Sequence, residues 1–135
     1  MYFLKFTRRH QRRRDYLARK EEARDLARER IRHFNTAYGF EIKRISIRNQ
    51  KTRWGSCSKK GNLNFNYLIA VLPQTLADYI IVHELCHLGE FNHSRKFWDL
   101  VAVTIPNFRE IRREFRSISP GHAEKQILGT NFANF

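Results

Sequence analysis

Five consecutive residues, His83-Glu84-Leu85-Cys86-His87, carry the pattern H-E-x-x-H. Residues four apart on a helix share a face, so two neutral imidazoles at this spacing can reach one ion. Imidazole nitrogen suits zinc, and a catalytic zinc takes three protein ligands and keeps a position for water. Glu84 is one residue on, rotated by about 100° around the helix axis. It misses the ion but can reach a water bound there, whose pKa the ion lowers toward about 7. A carboxylate so placed can take that proton and later deliver it to a leaving amine, which is the chemistry of peptide-bond hydrolysis. A third histidine, His93, follows six residues after His87. On an unbroken helix it would be turned by about 240° and lifted by about 9 Å, out of reach. The helix must therefore end between them, and Gly89 or Asn92 can supply the left-handed residue that ends it. Glu90 and Asp99 are rival third ligands. Cys86 is either a thiolate ligand or, as expected here, a small buried side chain. The plain alternative is two satisfied core histidines and one on the surface.

These residues need a buried helix to hold them. Pro73 can open it, where its missing N–H costs least. From Leu76 to Phe91 apolar residues fall on nearly every face, the mark of a buried helix. Titratable groups in the middle of such a helix need partners. Ser94 is the expected N-cap of a second helix through Phe97, Trp98 and Val101. A third follows Pro106, with Phe108, Ile111 and Phe115 inward and Arg109, Arg112, Arg113 and Arg116 outward on a solvated face. Upstream, Ile45 and Ile47 alternate with Ser46 and Arg48. Leu63, Phe65 and Tyr67 alternate with Asn64 and Asn66, behind a Ser58-Lys59-Lys60-Gly61 turn that suggests a hairpin. Arg53, Asn64 and Asn66 are expected on its polar faces. Before these strands, Tyr16, Leu17, Ala23, Leu26, Ala27, Ile31 and Phe34 recur at helical spacing, predicting a helix over about 16–37 that ends near Gly39. Trp54 and Trp98 are expected in the core.

Several of these stretches together resemble the YgjP-like metallopeptidase domain, a group of small zincins similar to the SprT-like and WLM peptidases. They are Trp54-Gly55-Ser56-Cys57-Ser58, Gly61-Asn62-Leu63-Asn64-Phe65, Val82 to His87, and Asn92-His93-Ser94 with Phe97-Trp98. The resemblance covers roughly residues 40–105. It implies an α+β, zincin-like fold: a long N-terminal helix, a small antiparallel sheet, an active-site helix with H-E-x-x-H, and C-terminal helices. It also implies His83, His87 and His93 as ligands of Zn2+ and Glu84 as the catalytic acid and base. In peptidases of this kind a strand edge can pair with an extended substrate chain. Metzincins share the third-histidine spacing but have glycine where this chain has Glu90. The expected organisation is a basic segment over 1–15, the peptidase domain over 16–118 and a tail over 119–135, disordered at its end.

The charge balance adds a second theme. The chain of 135 residues carries 26 Lys+Arg against 13 Asp+Glu, a net +13 with pI near 10.4. Residues 5–32 hold twelve of the basic and five of the acidic residues, about half the net charge. Such a balance favours polyanion partners. Arg8, Arg9, Arg12, Arg13 and Arg14, nearly unopposed by acids, are the candidate contacts to DNA or RNA. A solvated helix face is the alternative. Two cysteines without a C-x-x-C pair make neither a disulfide framework nor a cysteine zinc knuckle. No signal-peptide core and no membrane-length apolar run is present, so a cytoplasmic location and no membrane partner are expected. The N-x-S sequon at Asn92 is then chance. The expected function is a zinc-dependent endopeptidase acting on protein or peptide substrates, including proteins bound to nucleic acid. Two alternatives compete. A metal-dependent nuclease is one, since a bacterial rRNA-processing endonuclease family has three histidines at this spacing, but with glycine in place of Glu84. A non-catalytic nucleic-acid-binding protein with structural zinc is the other, and it would need a fourth protein ligand.

Overall fold

Neither proline nor glycine interrupts the chain before Gly39. A computed structural model, which describes residues 2–123 and side chains from Arg9 onward, shows one helix there, α1 (Tyr2–Tyr38). It begins well before the expected start. The arginine-rich stretch has no apolar stripe to announce a helix, but arginine and glutamine are good helix formers. The end falls where Gly39 takes φ 70°, and its N–H bonds the Asn35 carbonyl at 2.7 Å. Ala23, Ala27, Ile31 and Phe34 form the buried stripe. Leu17, expected in that stripe, is 56% exposed. Arg30 fastens α1 to the next long helix through two hydrogen bonds donated to the Asp78 carboxylate, at 2.8 and 3.0 Å. The Tyr16 hydroxyl donates to the Ile47 carbonyl at 3.3 Å.

The sheet has three strands, β1 (Arg44–Arg48), β2 (Gly55–Cys57) and β3 (Asn62–Asn66), in the order β1-β3-β2. The Ser58–Gly61 turn closes the expected β2–β3 hairpin, with Gly61 at φ 92° and its N–H on the Ser58 carbonyl at 3.0 Å. β1, however, lies parallel to β3, so the sheet is mixed and not wholly antiparallel. The segment 49–54 carries the chain from one edge of the sheet to the other, and Asn66 pins that crossing. Its amide donates to the carbonyls of Gln50 and Arg53, and its carbonyl accepts from the Leu68 N–H at 3.0 Å. Asn66 is therefore buried, at 1% exposure, and not on a polar face as the alternation suggests. A 3₁₀ turn (Tyr67–Val71) follows and packs on α1.

Pro73 caps α2 (Gln74–Cys86), whose Leu76, Ala77, Tyr79 to Val82, Leu85 and Cys86 are all buried. Ser94 caps α3 (Arg95–Thr104) without a side-chain bond to the helix. α4 (Phe108–Phe115) buries Phe108 and Ile111, with Phe115 half-buried. The short α5 (Pro120–Ala123) returns to the 49–54 crossing segment, where the Gly121 N–H bonds the Lys51 carbonyl at 3.0 Å. The rest of the C-terminal tail lies outside the described residues. Trp54 is buried as expected, and its indole N–H donates to the Ile118 carbonyl at 3.0 Å. Among the described residues no helix is long and apolar enough to cross a membrane.

Candidate metal centre

The last turn of α2 aims His83 and His87 the same way, and the chain then reverses to bring back His93. The reversal does not use a left-handed residue. Neither Gly89 nor Asn92 has positive φ, and among the described residues only Gly39 and Gly61 do. Instead α2 winds down through tightened turns: Leu88 N–H to the Leu85 carbonyl and Gly89 N–H to the Cys86 carbonyl, at 3.1 and 3.0 Å. The space at 89 is tight. A Cβ there would stand 2.7 Å from Phe40 Cζ and 2.9 Å from Leu100 Cδ1. The turn thus lies tight against two other elements, which fixes where His93 arrives.

The three rings converge. His83 Nε2 is 3.3 Å from His87 Nε2 and 3.1 Å from His93 Nε2, and one ligand nitrogen from each ring lies within 4.8 Å of the others. In a tetrahedral centre with metal–nitrogen bonds of about 2.0–2.1 Å, neighbouring nitrogens are about 3.3–3.4 Å apart. The trio therefore suits one small divalent ion. Burial, then the charges of His87, His93 and Arg112, push His83 down to about 3. Burial also lowers His87. Both are neutral at physiological pH, as ligands must be. His87 Nδ1 lies 3.1 Å from the Glu90 carbonyl oxygen, which suits an N–H there and leaves Nε2 its lone pair. Glu90 contributes this backbone contact, and neither its carboxylate nor that of Asp99 joins the cluster.

Phe97, fully buried on α3, is the floor of the site. The His87 ring stacks on it at 4.5 Å and 19°, while His83 and His93 meet it edge-on at 5.1 Å. Trp98 stacks on His93 at 6.1 Å, and Tyr79 meets His83 at 5.8 Å. Sequence reasoning placed Phe97 and Trp98 in the core; Phe97 is there, Trp98 is half-buried, and both pack on imidazoles of the cluster. The available signal was their spacing, four and five residues after His93, on the first turn of α3.

Glu84 leaves α2 on another side and meets the sheet. A Cβ on Gly55 would stand 2.9 Å from Glu84 Cγ and 3.0 Å from Oε2, so this glycine is the gap the carboxyl occupies. β2, which carries Gly55, is an edge strand. Burial raises Glu84 to about 8, against the opposing charge of Arg53. Cys57, on the same strand, is pushed up to about 11 by burial and by Glu84, and burial raises Cys86 to about 11. Both thiols are free and protonated at neutral pH, and neither belongs to the histidine cluster. Of the basic run, Arg9, Arg13 and Arg14 are exposed on α1, Arg12 is half-buried and donates to Asn49 Oδ1 at 3.4 Å, and the Arg8 side chain lies outside the described residues. None of those described joins the site.

No curated protein matches the chain in sequence. Solved structures are similar, two of them metallopeptidase zymogens. The metallopeptidase zymogen abylysin of Pyrococcus abyssi superposes with a TM-score of 0.60 at 25% identity, over 68% of this chain and 94% of that one. The metallopeptidase zymogen jannalysin of Methanocaldococcus jannaschii gives 0.54 at 26% identity, over 69% and 92%. The family model of the YgjP-like metallopeptidase domain matches residues 5–118, most of the chain, which takes in α1 through α4 and every histidine of the cluster: the chain belongs to the YgjP-like metallopeptidase family.

Proposed function

We propose that the protein is a zinc endopeptidase in which His83, His87 and His93 hold the ion and Glu84 carries the proton. The observation that supports this most is the convergence of three ring nitrogens, 3.1 and 3.3 Å apart, one helical residue from a buried carboxyl. Zinc bound there would supply the Lewis acidity that makes water nucleophilic near neutral pH. The chain's own groups do the rest. Phe97 and the Glu90 carbonyl hold the imidazoles in place. Glu84, in its dry gap against Gly55, takes the proton of the attacking water and returns it to the leaving nitrogen. A carboxyl whose proton affinity is raised by burial suits both halves of that exchange. An extended substrate backbone can align with the edge strand β2 beside it. Exposed Arg9, Arg13 and Arg14 on α1 would bring the enzyme to proteins on DNA or RNA, as a basic arm on the peptidase domain.

The test is to load wild type and Glu84→Gln with zinc, measure bound metal, and incubate each with an unfolded protein, with and without single-stranded DNA. Glu84→Gln is expected to keep one zinc per chain and lose about 10²–10⁴-fold in cleavage. Robust proteolysis by that variant would sink the assignment, and metal-dependent RNA cleavage that survives it would favour the nuclease.

A further inference from the structure

Beside the histidine cluster lies a groove of about 710 Å³ between α3 and α4. Arg95, Arg109, Arg112, Arg113 and Arg116 line it, with Asp99 as the one carboxylate. Sequence periodicity reads the α4 arginines as an ordinary solvated face, but the fold gathers them into one concavity. None of the five is in an ion pair among the described residues, where pairs form instead between Arg24 and Glu21 and between Arg30 and Asp78. Packing cations together without partners is unfavourable, and Glu110 and Glu114 of the same helix do not line the groove.

Two of these guanidiniums lie over aromatic rings. Arg112 lies over the Trp98 ring at 4.7 Å and Arg109 over Phe108 at 5.5 Å, and the two rings stack on each other at 5.0 Å and 15°. A stacked guanidinium is oriented before anything binds, and its planar fork matches a carboxylate. Trp98 is a wall of both spaces, because it also stacks on His93. The groove therefore adjoins the histidine cluster through this ring.

We propose that this groove is a substrate subsite for acidic side chains, aspartate or glutamate, on a polypeptide whose backbone crosses His83, His87 and His93. It rests on the endopeptidase reading. The volume suits one or a few side chains rather than a duplex, and charge-assisted bidentate contacts are what such a fork recognises in a carboxylate. The neighbouring tryptophan ring leaves the two sites sharing one wall, so selectivity here would act next to the bond being cut.

The experiment uses zinc-loaded Glu84→Gln and three labelled decapeptides that differ only in a central Glu, Gln or Lys pair, with anisotropy at low and moderate salt. The Glu peptide is expected to bind on the order of tenfold tighter than the Gln peptide, less so at higher salt. Adding Arg109→Glu and Arg113→Glu, both at exposed positions, is expected to remove that preference and favour Lys, with one zinc per chain showing that the variant is folded. The ratio of kcat/KM for the Glu and Lys peptides in loaded wild type should move the same way. No preference in binding, or a preference that survives the charge reversal, overturns the subsite. A Glu preference in binding with no cleavage by loaded wild type overturns the endopeptidase reading instead. If an oligothymidylate of equal charge is the ligand lost on charge reversal and the peptides do not bind, the polypeptide assignment is wrong.

Discussion

The last turn of α2 and the first half of α1 are both polar stretches of helix, and the fold treats them in opposite ways. Glu84 and His87 are buried and His83 is half-buried, packed by Phe97, Tyr79 and the Gly55 gap. Arg9, Arg13 and Arg14 face solvent. In the first region burial, with neighbouring charges, shifts proton affinities, and a single Cβ would collide with the Glu84 carboxyl. In the second, only summed charge matters. The α4 arginines stand between these cases, exposed but gathered and oriented by rings. Burial, more than residue type, separates a site from a solvated face.

The sharpest way to probe that contrast is pH, in metal-free protein. Glu84 is raised from an ordinary 4.5 to about 8, so the folded state holds its proton more tightly than the unfolded state does. Its favourable contribution is complete below 4.5 and is lost as pH rises toward 8. His83 is lowered from 6.5 to about 3, so its contribution is present above 6.5 and is lost as pH falls toward 3. The two trends cancel between 4.5 and 6.5, and above 6.5 only the Glu84 loss continues. Urea melts in chelator at pH 5 and pH 8 should therefore show Glu84→Gln gaining on wild type by several kcal/mol over that interval. Parallel pH profiles for the two proteins would mean that Glu84 is not held in a dry gap.

Next in size is the gap itself. In Gly55→Ala the new Cβ would lie within 3.0 Å of Glu84 Cγ and Oε2 and of the Asn64 carbonyl oxygen. Backbone cannot yield easily, so the carboxyl must move. A displacement approaching 1 Å at a catalytic group costs about 10²-fold, and kcat/KM should fall by that order while bound zinc stays at one per chain. Gly39→Ala is the matched control. Nothing lies within 4 Å of its Cβ, and its cost is the left-handed φ of 70° alone, which is paid in stability. Full activity in Gly55→Ala would remove Gly55 from the site.

Gly55 also marks the limit of what could be read without coordinates. H-E-x-x-H, the need for a break before His93, the β2–β3 hairpin and the inward face of α4 were all legible, because each is a local period or a turn residue. The mixed sheet was not, since strand alternation says which face is buried and nothing of which neighbour lies alongside; Asn66, spent inside on a crossing loop, looks in the sequence like any polar strand residue. Gly89 looked like a helix terminator and proved to be a packing glycine against Phe40 and Leu100, contacts with residues far away in the chain. Phe97 read as core, which it is, while its second task needed three imidazoles in place around it. The start of α1 was missed for a different reason: an arginine-rich helix carried by propensity leaves no apolar period to find.

The exposed arginines of α1 supply the smallest predicted effect on folding. The variant carries Arg9→Glu, Arg13→Glu and Arg14→Glu together, leaving Arg12 because it donates to Asn49. Exposed substitutions away from packed features shift stability by no more than about 0.5 kcal/mol each, so the melt should barely move. Single-stranded DNA affinity should respond far more. Each phosphate contact contributes about 0.7 to the slope of log affinity against log salt on single strands, so losing three should lower its magnitude by about two. Titrations at several salt concentrations measure that slope directly. If DNA binds and the slope stays as in wild type, the anion sits elsewhere, and the guanidiniums of α4 are the other concentrated positive surface beside the histidines. The contrast would then invert: α1 would be a solvated helix whose charge serves solubility, and the groove next to Trp98 would be the surface that meets phosphate.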